Sequence, residues 1–319
     1  MIQKLSVVDF LFRAENNIII DVRSTCEYEK GHILNAQSIP LFTDEERSVI
    51  GTLYKQHGKE EALLQGLDFV GPKSSSFIRA VKNITPHKII LIYCARGGMR
   101  SHSFAWLLHL FGYTVYVLQD GYKSYRKFVV QQFERKFYFI VVSGKTGTGK
   151  TELLQQYERE KKQVINLEAL ARHKGSVFGG IGQIQPTQEQ FENDLAIVLF
   201  SFDADLPAWI EDESRHIGKI IIPEQLWRHM SCTQAIEVIE KTLQERVNFL
   251  LAQYQHCSNQ DLIIAVQKLE KKLGLQQCLQ AQELLRENNR TEFCKVMLKY
   301  YDKAYDFSFA KRKNRTKCD

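Results

Sequence analysis

What the sequence lacks narrows its class before any motif is read. Only 6 of its 319 residues are proline, hydrophobic residues make up 44% and charged residues 25%, so disordered and collagen-like chains are excluded. No apolar run approaches the roughly 18 residues that a membrane span requires. Phe137 to Val142, for example, is bounded by Lys136 and the turn-forming pair Ser143-Gly144. No secretory leader is expected either, because Asp9 and Arg13 interrupt the apolar stretch near the N-terminus. A cytoplasmic location with no membrane partner is the expectation. There are 7 cysteines but no Cys-x-x-Cys pair, which argues against a disulfide framework and a structural zinc site.

What is present is enough chain for about two domains, at roughly 100–200 residues each. The net charge of +6 is uneven. Residues 1–130 hold 16 Lys+Arg against 12 Asp+Glu, and Lys311 to Asp319 hold five basic residues against one acidic. A basic first domain and a basic tail suit a polyanion such as nucleic acid, although charge alone fits a solvated tail equally.

Two apolar runs each deliver a motif at their C-terminal end, where open α/β sheets place their sites. Ile89 to Tyr93 leads into Cys94-Ala95-Arg96-Gly97-Gly98-Met99-Arg100-Ser101 and a helix over Phe104 to Phe111, and Phe137 to Val142 leads into Ser143-Gly144-Lys145-Thr146-Gly147-Thr148-Gly149-Lys150-Thr151 and a helix to about Glu160. Ile18 to Val22 and Thr114 to Leu118 read as further strands. The spacing predicts an α/β domain over 1–128, a charged linker over 129–136, and a second α/β domain over 137–319. From Gln234 onward, Ile236, Ile239, Leu243, Val247, Leu250 and Tyr254 recur at helical spacing, so the second domain ends in a helical extension and the basic tail. Gly175 to Gln188 reads as a long loop, a type that is often functional.

Cys94 follows a buried strand and precedes two glycines and a helix start. Backbone N–H groups and the helix dipole there favour a thiolate, so Cys94 is the candidate nucleophile. Arg96, Gly97, Gly98 and Arg100 are the candidate anion-binding residues. Spacing leaves two chemistries open. Cys94, Gly97, Arg100 and Ser101 satisfy the Cys-x-x-Gly-x-x-Arg-Ser pattern of tyrosine phosphatases, with Tyr93 where His is usual. Upstream, Asp21-Val22-Arg23, Glu27-Tyr28, Gly31-His32-Ile33, Ala36 and Ile39-Pro40 resemble the signature of rhodanese sulfurtransferase domains, whose cysteine carries sulfur or selenium.

Gly144-x4-Gly149-Lys150-Thr151 is a complete phosphate loop in strand-to-helix context. Residues Gly144, Lys145, Thr146, Gly147, Thr148, Gly149, Lys150 and Thr151 are the candidate diphosphate cradle, with Thr151 the ligand if Mg²⁺ binds. Such a cradle recognises a diphosphate whatever is attached, ATP and GTP being the default. Glu211, after Ala208-Trp209-Ile210, and Glu168, after Val164 to Leu167, compete as the accompanying acidic residue.

A rhodanese-like domain fused to a phosphate-loop domain resembles the bacterial tRNA 2-selenouridine synthases. The resemblance extends through Leu167-Glu168-x-Leu170-Ala171-x-His173-Lys174-Gly175-Ser176, Gln185-Pro186-Thr187-Gln188, Glu211-x-Glu213-Ser214-Arg215 and Tyr300-Tyr301-Asp302. Ala95, where an aromatic residue is expected, and Lys303, where proline is common, depart from it. The resemblance implies a transferase acting on the wobble uridine in the anticodon stem-loop of tRNAs for Lys, Glu and Gln. Selenium from selenophosphate replaces the sulfur of 2-thiouridine through an S-geranyl intermediate made from geranyl diphosphate, with Cys94 catalytic and no tightly bound cofactor. Arg172 and Arg215 are then candidate phosphate contacts, Glu211 and Glu213 join them in a second-domain site, and His173 is an acid, a base or a packed structural residue. A cysteine phosphatase or a sulfurtransferase carrying a nucleotide-binding domain is the alternative.

Overall fold

The structure, a computed structural model, describes residues 1–313. The expected RNA contacts in the basic tail beyond Lys313 lie outside the described residues. The chain divides into two compact units, the first ending at Gln132 and the second starting at Phe133.

The first unit runs β1 (Ile2–Leu5), α1 (Val7–Ala14), β2 (Ile18–Asp21), α2 (Thr25–Lys30), β3 (Gln37–Ser38), α3 (Asp44–Gln56), α4 (Lys59–Val70), α5 (Ser74–Ile84), β4 (Ile89–Tyr93), α6 (Met99–Leu110), β5 (Thr114–Leu118) and α7 (Gly121–Glu134). Its five strands form a sheet in the order β1-β5-β4-β2-β3, with every pairing parallel. β4 is central and reads Ile-Ile-Leu-Ile-Tyr because a parallel strand is covered on both faces, and Ile90 to Tyr93 are fully buried. Phe77, Ile78 and Val81 of α5 and Phe104, Ala105 and Leu108 of α6 pack on this sheet. Thr43 and Glu46 form a reciprocal cap at the start of α3.

The stretch read as a linker, 129–136, is largely helical, since α7 continues to Glu134, and the division between the two units falls within it. Tyr122, Tyr125, Phe128 and Val129 recur at three- and four-residue spacing and are buried, so α7 has an apolar face to pack. Its charge had obscured that face.

The second unit runs β6 (Tyr138–Ser143), α8 (Lys150–Arg159), β7 (Gln163–Ile165), α9 (Leu167–Ala171), α10 (Gln188–Phe200), β8 (Pro207–Glu211), β9 (His216–Ile217), β10 (Ile220–Ile221), α11 (Glu224–Cys232), β11 (Ile236–Val238), α12 (Leu243–Gln253), α13 (Asn259–Gln267), α14 (Glu270–Leu273), α15 (Leu275–Arg286) and α16 (Arg290–Lys313). A parallel sheet orders as β11-β6-β8-β7, and β9 pairs with β10 as a small antiparallel ribbon. The helical reading from Gln234 is therefore corrected at its start. Ile236 lies in a strand paired with Val141, and Ile239 continues it, donating its N–H to the Ser143 carbonyl at 2.8 Å. Helix begins only at Leu243, behind the Thr242–Glu245 capping box. From there Val247, Leu262, Val266, Ala281, Leu285 and Leu298 close a helical core of their own.

Candidate functional site

In the first unit, Cys94 emerges at the end of β4 and is 2% exposed. Its Sγ donates to Ser101 Oγ at 3.2 Å, and that hydroxyl donates to the Gly98 carbonyl at 3.0 Å. The turn at the start of α7 lies against this loop. Tyr122 N donates to Cys94 O at 2.8 Å and Lys123 N to Ala95 O at 3.0 Å, so the loop's first two carbonyls are satisfied from below. Gly97 and Gly121 sit backbone against backbone, both at φ 59°. A Cβ on Gly121 would stand 2.3 Å from Cys94 O and from Gly97 N, so glycine is required.

The Asp21-Val22-Arg23 motif is an internal brace. Arg23 chelates Asp21 with a closest contact of 2.7 Å, donates to Gly31 O at 2.6 Å and lies 3.7 Å over the Tyr122 ring. Burial opposes its charge, but Asp21 outweighs that and holds the guanidinium above its ordinary range. Tyr93, where phosphatases usually carry His, is buried, accepts from Ile33 N at 3.1 Å and is pushed well above the usual phenol range, first by burial and then by Asp21. It is a neutral core residue.

The two candidate anion ligands differ. Arg100 is held by Glu27 at 2.8 Å, and Arg47 also reaches Glu27, at 2.9 Å. Despite burial, these cations lower the Glu27 pKa, with Arg100 the stronger influence. Arg96 is exposed and, among the described residues, has no ion-pair partner. It is the freer of the two for an incoming anion.

In the second unit, the phosphate loop joins β6 to α8 as expected. Lys150 Nζ donates to Gly144 O at 3.0 Å, and Thr148 Oγ1 donates to Lys145 O at 2.8 Å. Thr151 Oγ1 lies 3.2 Å from Glu168 and 3.4 Å from Glu211. The two rivals for the acidic role thus converge on one hydroxyl. Neither is a solvated strand end: Glu211 is fully buried and accepts from Glu168 N at 2.9 Å. Burial and then the Glu168 charge push Glu211 up to about 8. Burial also raises Glu168, and Glu213 stands well above the ordinary carboxylate range, first through burial and then through Glu168.

The loop opens into a cavity of about 470 Å³. Lys174, Ser214 and Arg215 line it together with Trp227, Phe249, Leu250, Tyr254, Tyr301 and Tyr305. Two of the candidate second-domain residues lie outside this cavity, and for His173 the structure takes the packed alternative. Arg172 does not line this cavity; it is exposed, and its left-handed backbone (φ 48°) ends α9. His173 is also outside the lining. Its ring is boxed in by Gly180 and Gly218, where an added Cβ would come within 3.1 and 2.8 Å, and its buried Nδ1 has no hydrogen-bond partner. Burial lowers its pKa, so it packs as a neutral ring. Arg215 does line the cavity, paired with Glu224 at 2.6 Å.

Sequence reading missed the clamp on the loop. Arg246 of α12 donates Nε to Thr146 O at 2.8 Å and grips Asp302 of α16 with contacts of 3.0 and 2.5 Å. Tyr305 is 2.9 Å from Ser143 Oγ, and Lys145 pairs with Asp306 at 3.1 Å. The sequence shows only an arginine inside an apolar helical repeat, which marks no partner.

The fold and these sites define a rhodanese-like unit joined to a phosphate-loop unit. Residues 8–128 match the model of the rhodanese-like domain, and residues 137–319 match that of the tRNA 2-selenouridine synthase AAA domain. The chain belongs to the tRNA 2-selenouridine synthase family. It is 30% identical to the tRNA 2-selenouridine synthase of Marinobacter nauticus over 95% of this chain and 92% of that protein, and 32% identical to that of Sulfurovum sp. over 94% and 91%. With the Nitrosomonas eutropha protein of the same name it shares 35% identity over 76% of this chain; that match spans 64% of the relative, just under two thirds.

Proposed function

We propose that this chain converts 5-substituted 2-thiouridine at the tRNA wobble position to 2-selenouridine, using geranyl diphosphate and selenophosphate. The observation that carries the reading is the composition of the second unit's cavity. A phosphate loop opens beside Phe249, Leu250, Tyr254 and Tyr301, so anion-binding and apolar surface share one space. That pairing suits a diphosphate bearing a hydrocarbon better than one bearing only polar groups.

In the first step the thiocarbonyl sulfur attacks the allylic carbon of geranyl diphosphate. A carbon–sulfur bond forms, the carbon–oxygen bond breaks, and diphosphate leaves. The loop N–H groups and Lys150 face the charge that develops on the departing oxygen. In the second step selenium from selenophosphate bonds to C2 of the base and the C2–sulfur bond breaks, releasing thiogeraniol. Water then takes the phosphoryl group, leaving C2=Se and phosphate. Geranylation makes sulfur a leaving group that departs as a neutral thiol. Cys94 is the residue assigned to selenium transfer, with Arg96 binding the anionic donor.

No cluster of three or more His, Cys, Asp or Glu among the described residues is arranged to hold a metal by itself. Mg²⁺ commonly takes one or two carboxylates plus substrate phosphates, and Thr151, Glu168 and Glu211 fit that partial set. They would hold the ion, which supplies positive charge beside the diphosphate.

Recognition of RNA rests on the basic first unit and tail, and an unstacked anticodon base is the natural target. The test supplies 2-thiouridine tRNA and geranyl diphosphate without selenophosphate. S-geranyl-2-thiouridine accumulates, and inorganic diphosphate inhibits by competing with geranyl diphosphate. Tight ATP binding that interferes with no step of geranylation would contradict the assignment of the loop.

A further inference from the structure

The cavity over the phosphate loop adjoins a second, smaller space of about 30 Å³. The two share Thr146, Ser176, Leu250, Tyr254 and Tyr301 as lining. The rest of the smaller space is walled by Phe178, Leu262, Phe293, Cys294, Met297 and Leu298, with no charged group. All six belong to the helical core of this unit. Protein cores are close-packed, with few voids, yet this one leaves a gap beside the phosphate loop.

The gap is small, large enough for a terminal methyl group. Away from the shared boundary, its lining offers a water molecule few polar partners. A ribose or base entering it would leave polar atoms without partners, whereas a hydrocarbon end would lose nothing. Tyr254 and Tyr301 make edge contacts with Phe178, at 6.1 and 6.5 Å between ring centres, so two rings of the shared boundary pack onto the recess wall.

We propose that this recess receives the far end of the hydrocarbon carried by a diphosphate on Gly144 to Thr151 and sets its length, with Met297 and Cys294 as specificity-determining residues. The inference rests on the reading of the loop as an allylic diphosphate site. The main cavity takes the head and most of the chain, and the recess stops it. A larger recess then favours a longer tail, and a filled one a shorter tail.

The experiment is calorimetric titration of the full-length protein with inorganic diphosphate, dimethylallyl diphosphate, geranyl diphosphate, farnesyl diphosphate and ATP. Wild type is compared with Met297→Ala, which enlarges the recess, and Cys294→Met, which fills it; thermal melts establish which variants are folded. Each buried methylene contributes about fourfold in affinity. Wild type should rank geranyl diphosphate first. Met297→Ala should move the farnesyl-to-geranyl affinity ratio up by about tenfold, and Cys294→Met should move the dimethylallyl-to-geranyl ratio up by a similar factor. The variants act in opposite directions, so either alone tests the recess if the other fails to fold. Geranyl diphosphate binding tighter than inorganic diphosphate, with one length order in every folded protein, would overturn the recess and leave the loop assignment standing. No allylic diphosphate exceeding inorganic diphosphate, with ATP binding tightly, would overturn both.

Discussion

At the scale of single residues, the first unit is organised around keeping one thiol in place. Cys94 is buried at a strand end, tied to Ser101, and supported by a turn in which Gly121 cannot carry a side chain. Gly121→Ala should destabilise the first unit by about 2–4 kcal/mol, combining a left-handed backbone penalty with overpacking; a shift in its chemical denaturation midpoint at unchanged slope would check this. Arg23 and Asp21 matter to this unit as a brace, although the sequence presents them only as a motif. His173 shows the reverse outcome. Its neighbours Lys174 and Gly175 border the cavity, but the ring itself is enclosed by Gly180 and Gly218. His173→Gln should therefore reduce thermal stability, while the pH profile of catalysis keeps its shape.

At the scale of elements, the phosphate loop depends on helices distant in sequence. Arg246 of α12 bonds the loop at Thr146 and the last helix at Asp302. Arg246→Ala leaves the Thr146 carbonyl and the partly exposed Asp302 carboxylate short of partners, and should cost about 2–3 kcal/mol. A double-mutant cycle with Asp302→Asn should return a coupling above about 0.5 kcal/mol. The loop itself was legible because strand, glycine spacing and helix all lie within adjacent residues. The clamp was not legible, because Arg246 and Asp302 are 56 residues apart and meet only through folding. β11 was misread for a local reason: three residues, Ile236 to Val238, are too few to display alternation, and Ile236, Ile239 and Leu243 happen to fit a helical period. α7 is not anticipated because its charged residues mask the aromatic face at Tyr122, Tyr125 and Phe128. The convergence of Glu168 and Glu211 followed from the β7–β8 pairing, which sequence order alone does not reveal.

At the scale of the whole molecule, a thiol unit and a phosphate-loop unit share one chain, and no described helix is long and apolar enough to cross a membrane. The buried carboxylates of the second unit give its stability a distinctive pH response. Glu211 is raised from the ordinary 4.5 to about 8, first by burial and then by Glu168, so between these values the native state binds more protons than the unfolded state. That contribution is fully present below about pH 4.5 and is lost as pH rises through about 8. In metal-free buffer, the stability difference between Glu211→Gln and wild type should grow in favour of the variant across this window, as read by urea unfolding at stepped pH. The central claim, that the two units perform successive steps on one uridine, is tested most directly by mass spectrometry of wobble nucleosides. Wild type, Cys94→Ala and Lys150→Ala are each incubated with 2-thiouridine tRNA, geranyl diphosphate and selenophosphate. The account predicts 2-selenouridine from wild type, S-geranyl-2-thiouridine accumulating with Cys94→Ala, and unreacted 2-thiouridine with Lys150→Ala. Nucleosides of unchanged mass in all three reactions would contradict it.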